Sequence, residues 1–167
     1  MRLRVVSLFV FLLSLAASTA EAADVSFVRV WPGWRDADSF DSISEYFTGK
    51  ENTGRRLTLR TQPAERAGFY FLVRLTNTGP ANATAKFRLQ VILPDSPVTR
   101  TFDFPATLPA KSAVFQLGLT GTDWPDAKIQ PVAWKLELLG GDDAVLATEQ
   151  SFLWSMPTPT ARGDAQP

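Results

Sequence analysis

The residues with most capacity for chemistry lie between Val30 and Gly54, in VWPGWRDADSFDSISEYFTGKENTG. Four carboxylates fall close together there: Asp36, Asp38, Asp41 and Glu45. Hard cations such as calcium take several carboxylate and carbonyl oxygens from one flexible loop. Asp36-Ala37-Asp38 has the alternate spacing that begins such a loop. Phe40 interrupts it, and no Gly stands at the required turn. The same residues read more fully as a helix start. Ser42-Ile43-Ser44-Glu45 fits a capping box, and acidic groups favour a helix N-terminus. Phe40, Ile43 and Phe47 then share one helical face, and Gly49 suits the C-terminal position. The expectation is one short amphipathic helix closing the end of a domain, with no metal and no cofactor.

Aromatic rings are the second source of chemistry. Flat rings stack on sugar faces when they are exposed as a platform. Trp31, Trp34, Tyr46 and Trp124 fall near predicted loops, whereas Trp134 alternates with Val132, Leu136 and Leu138 and belongs to a core. The arginines are the third source. Arg55, Arg56, Arg60, Arg66, Arg74, Arg88 and Arg100 mostly take outward strand positions. A clustered patch would hold carboxylates or an acidic polymer. Neutral overall charge favours instead an ordinary solvated face, paired across strands. Arg162-Gly163-Asp164 spells an integrin-binding tripeptide, and Asn82-Ala83-Thr84 a glycosylation sequon; both read as coincidences.

Absences narrow the choice further. The chain has no His, the commonest general base and metal ligand, and no Cys, so thiol chemistry, thiolate metal sites and disulfides are excluded. What remains for catalysis is a carboxylate pair, a Ser/Lys dyad or a metal. No organised carboxylate pair of the glycosidase kind stands out, so the chain does not read as an enzyme. Lys+Arg and Asp+Glu both number 17, which gives no global field for nucleic acid or an anionic membrane.

The elements that must position these residues are strands. The first residues, MRLRVVSLFVFLLSLAASTAEAADV, form a positive n-region at Arg2 and Arg4, an apolar stretch Val5 to Ala17, and a small-residue cleavage site at Ala20-Glu21-Ala22. The expectation is a signal peptide over 1–22, cut after Ala22 or Ala23. The mature chain would stay within one charge of neutral. Export without Cys points to a bacterial periplasmic or secreted protein, with no stable membrane insertion after cleavage.

Alternation of period two then dominates. Predicted strands cover Asp24 to Trp31, Arg55 to Thr61, Gly68 to Thr76, Ala83 to Leu93, Val98 to Phe104, Ala113 to Leu119, Val132 to Leu138 and Ala144 to Trp154. Turn signals separate them: NTGPAN, PDSP, LPAK, TGTDWPD and LGGDD. About eight short strands at regular spacing read as an all-β, Ig-like antiparallel sandwich over 23–156 with one short helix in its first long connection. A closed barrel is the alternative. The Pro-rich residues 157–167 read as a disordered tail.

FYFLVRLTNTGPANATAKFRLQVILP resembles the Ig-like and fibronectin type III-like domains of exported bacterial proteins. The resembling unit is an apolar strand ending in Leu75-Thr76-Asn77-Thr78-Gly79, a short loop, an alternating strand to Pro94, and later LPAKSAVFQLGL. The resemblance implies a binding, spacer or assembly module with no inherited catalytic residue. The functional expectation is therefore protein–protein contact in the cell envelope or outside the cell. The alternative is a carbohydrate-binding module using loop aromatics. Trp31, Trp34, Asp36, Asp38, Tyr46 and Trp124 are the candidate binding residues.

Overall fold

The period-two pattern becomes strands at the expected places. The computed structural model describes residues 24–40 and 56–155. The expected signal peptide, most of the capped helix with Asp41, Glu45 and Tyr46, and the tail lie outside the described residues. The strands are β1 (Val25–Arg35), β2 (Arg56–Arg60), β3 (Gly68–Asn77), β4 (Asn82–Leu93), β5 (Ser96–Leu108), β6 (Ala113–Thr120), β7 (Ala133–Leu139) and β8 (Val145–Gln150). They form two four-stranded sheets, in the orders β1-β3-β6-β2 and β5-β4-β7-β8. The chain is thus an all-β sandwich, with β1, β2, β3 and β6 in one layer and β4, β5, β7 and β8 in the other.

The inward alternation is met closely. Phe69, Phe71, Val73 and Leu75 of β3 face Phe87, Leu89 and Val91 of β4, all fully buried. Phe115, Leu117 and Leu119 of β6 and Leu136 and Leu138 of β7 complete the core. Ring contacts knit the layers, with Phe87 and Phe115 edge-to-face at 4.9 Å and Phe71 and Trp134 at 5.6 Å. Trp134 is half-buried, partly covered at the edge of this core.

Several expectations need correction. The sandwich is not wholly antiparallel, because β2 runs parallel to β6. β2 and β6 are not consecutive: β3, β4 and β5 lie between them in the chain, as parallel neighbours that no hairpin can join require. β1 does not stop at Trp31 but continues through Arg35, so WPGWR is strand and not loop. Pro32 is tolerated because β1 is an edge strand, as are Pro97 and Pro105 on edge strand β5. Val98, near the start of β5, is 67% exposed. The last strand ends at Gln150, and Phe152–Ser155 form a helical turn. The first connection holds a 3-10 turn, Ala37–Phe40, among the described residues.

Two buried polar groups explain the turns. Asn77 donates from Nδ2 to the carbonyls of Pro80 (3.0 Å) and Pro109 (2.8 Å), and its Oδ1 accepts from the Gly79 N–H (2.9 Å). One side chain thus ties the Asn77-Thr78-Gly79 corner to the Leu-Pro turn before β6. At the other end, Thr120 is fully buried beneath the β2–β3 connection. Its Oγ1 donates to the Gln62 carbonyl at 3.0 Å and accepts from the Gln62 N–H at 3.1 Å. Both satisfy the rule that buried polar groups are paired.

Candidate functional site

Along β1 the two tryptophans are three residues apart. Side chains alternate along a strand, so an odd spacing sends them to opposite faces. Trp31 points outward and is 39% exposed. Trp34 turns inward, half-buried against the core, and its indole N–H donates to Asp36 Oδ1 at 2.8 Å. Trp124 is buried, stacked on Phe69 at a centroid distance of 4.7 Å, with its indole N–H aimed at the Ile129 carbonyl (3.3 Å). A loop position fits either an exposed ring or one that plugs the end of a sandwich, and Trp124 is the buried kind. Trp31, Trp34 and Trp124 therefore form no common platform, and Tyr46 lies outside the described residues.

The acidic candidates are also separated by role. The Asp36 carboxylate is taken up by Trp34, and its backbone carbonyl accepts from the Ser39 N–H (3.1 Å) and Oγ (2.6 Å). Asp38 is exposed on the 3-10 turn. Among the described residues there is no group of three or more His, Cys, Asp or Glu placed to hold a metal ion. The turn delivers Phe40, which is buried against the Tyr70 ring at 4.8 Å.

Tyr70 anchors the outer face of the first sheet. Its neighbours in register are Gly33 on β1 and Gly118 on β6. A Cβ at Gly118 would lie 2.4 Å from Tyr70 Cε1, so only glycine lets the ring lie flat across β6. The phenol donates to the Arg66 carbonyl (2.7 Å) and accepts from Arg60 Nε (2.8 Å). Arg60 also lies over the Phe40 ring at 4.9 Å.

Below this row stand two more. Trp31, Leu72, Gln116 and Thr58 cross the sheet in one, with Thr58 Oγ1 donating to Gln116 Oε1 at 2.9 Å. Arg29, Arg74, Val114 and Arg56 cross it in the next. Trp31 and Leu72 line both of two grooves. One, of about 390 Å³, holds Gly33, Trp34, Asp36, Ser39 and Tyr70. The other, of about 370 Å³, holds Arg56, Arg74, Ser112 and Val114. Trp31 is thus the ridge between them, with the Arg29 guanidinium over its ring at 4.9 Å. A third groove, of about 510 Å³, opens between edge strands β2 and β5 beside Leu59, Phe102 and Phe104.

The opposite outer face is different in kind. Arg88 makes a two-pronged ion pair with Asp103 (2.9 and 3.0 Å), and Lys86 reaches Asp143 at 2.6 Å. Lys135 pairs with Glu137 at 2.5 Å. Hydrogen bonding from Arg88 holds the Asp103 carboxyl below the usual carboxylate range, and the same pairing raises the Arg88 guanidinium. This is the paired, solvated face expected for strand arginines. It accounts for Arg88; on the other sheet, Arg29 and Arg74 make no ion pair with a carboxylate of the described residues.

Arg29, Leu72 and Val114 were not singled out from sequence. The available signal was parity: Arg29 lies two residues from Trp31 on the same face. The strand order that brings Arg74 and Val114 alongside could not be read from the chain. No family model matches this sequence, and neither does any curated protein.

Proposed function

We propose that this chain is an exported, non-catalytic module that works by surface contact with another protein of the cell envelope or outside the cell. The observation that carries the reading is the outer face of the β1-β3-β6-β2 sheet. There an exposed tryptophan stands as a ridge between two grooves, flanked by arginines. Tryptophan, tyrosine and arginine are the residue types that dominate binding energy at protein interfaces. The sequence supports export through the basic, apolar and small-residue segments of its first residues. No helix among the described residues is long and apolar enough to cross a membrane. The missing His and Cys support a role without imidazole or thiol chemistry.

Site-specific photocrosslinking in the producing cells tests the proposal. p-Benzoylphenylalanine in place of exposed Val28, on β1, is expected to give a discrete covalent adduct with one partner protein. The same probe in place of exposed Val145, on β8 of the other sheet, is expected to give none. Equal adducts from both positions, or none from either, would overturn the proposal.

A further inference from the structure

The two outer faces of the sandwich differ in charge although the chain is neutral. On the β5-β4-β7-β8 sheet, cations and carboxylates are interleaved and paired. On the other, the strands place Arg29, Arg56, Arg60 and Arg74 outward, with Arg35 at the upper end. No strand residue of that face is a carboxylate among the described residues. Asp36, beyond the end of β1, is held by the Trp34 indole.

Arg29 and Arg74 are direct cross-strand partners, and both are exposed. Neither makes an ion pair with a carboxylate of the described residues. Like charges set directly opposite each other on a sheet destabilise it. The juxtaposition therefore opposes folding, and an anionic ligand would relieve it. Guanidinium groups bind carboxylates through two parallel N–H donors, a geometry lysine lacks. Beside this pair the groove floor is apolar, made by Leu72 and Val114, with the Trp31 ring as its wall.

We infer that this groove binds a carboxylate-bearing, extended peptide segment of the partner protein. An Asp or Glu side chain engages Arg29 and Arg74, and an apolar side chain two residues away, on the same face of the extended segment, packs on Leu72 and Val114. A polysaccharide is disfavoured because one face of Trp31, where a pyranose would stack, is already covered by the Arg29 guanidinium. This inference rests on the contact-module reading and names the chemistry of its partner.

The test uses the purified chain and fluorescence anisotropy with labelled probes. These are a peptide of repeated Glu-Ser-Leu-Ser, which puts Glu and Leu on one face when extended, the same peptide with Gln for Glu, and polyuronate oligosaccharides. The Glu peptide is expected to bind and the Gln peptide not, with affinity falling as salt rises from about 50 to 300 mM. The double variant Arg29→Gln, Arg74→Gln is expected to weaken binding about tenfold or more while its melting temperature stays level or rises. Undiminished binding by that variant, equal binding of the Gln peptide, or binding of polyuronate alone would overturn the inference. An intact crosslink from the Val28 position in the double variant would also overturn it, while leaving the contact-module reading standing. Loss of the crosslink in the wild-type chain would remove both.

Discussion

Trp124→Ala separates a packing role from a binding role. The indole is 2% exposed and lies against Phe69 at 4.7 Å, in the fully buried core. Truncating a buried tryptophan loses the transfer free energy of the ring and leaves a cavity that neighbours only partly fill, costing about 3–5 kcal/mol. At roughly 3–5 °C per kcal/mol for a domain of this size, the melting temperature should fall by about 10–20 °C. Trp124→Phe keeps a ring against Phe69 but loses part of the indole's buried volume and the N–H aimed at the Ile129 carbonyl (3.3 Å), so it should cost about 1–2 kcal/mol, less than the alanine. Trp31→Ala is the control. That residue is 39% exposed and loses a surface cation–π contact with Arg29 and some cover of Leu72, at about 1 kcal/mol or less. Thermal unfolding followed by circular dichroism, with urea titration of the phenylalanine variant, measures all three. A Trp124→Ala melt within about 2 °C of wild type would refute the burial account. So would a Trp31→Ala loss larger than that of Trp124→Ala.

Gly118→Ala should lower stability by about 1–3 kcal/mol, because the new methyl meets a Tyr70 ring fixed by its phenol hydrogen bonds. In a double-mutant cycle, pairing it with Tyr70→Ala should recover much of that increment, and strict additivity would refute the steric explanation. The Asp103 carboxyl is depressed in the folded state. Its contribution is therefore present above the ordinary aspartate range and is lost as pH falls below about 4 through the lowered folded value. The melting temperature of Asp103→Asn should accordingly fall less steeply than wild type between about pH 4 and pH 2. The pair is partly exposed, so the difference should shrink in high salt. Parallel curves for the two proteins would count against the assignment.

The strands and core were legible because period-two alternation reports burial directly. Ala85 to Val91 alternates so regularly that only one face can be the core, whereas Tyr70 and Leu72 left both faces of Phe69 to Leu75 open to cover. Trp124 could not be placed from sequence for a related reason. It follows a Gly-Thr-Asp turn with no periodic neighbours, so nothing local says that the open end of the sandwich lies beneath it. WPGWR was misread as loop because Pro and Gly punctuate chains. Pro32 is harmless where a strand has a free edge, and edge position is a property of the sheet and not of the segment.

The candidate site shows the same division. The sequence by itself determined the all-β class, the interior face of most strands, and the absence of thiol and imidazole chemistry. These follow from residue type and short-range spacing. It also placed Trp31 and Trp34 three apart, which sets them on opposite faces once the segment is a strand. Only the tertiary structure decided that Arg29, Arg74 and Arg56 share one row while Arg88 faces Asp103 on the other sheet. A net charge sums over the chain and carries no information on neighbours. Strand order and register turn a neutral composition into one face of interleaved ion pairs and another that sets Arg29 opposite Arg74, because side chains on a sheet meet across strands and not along the sequence.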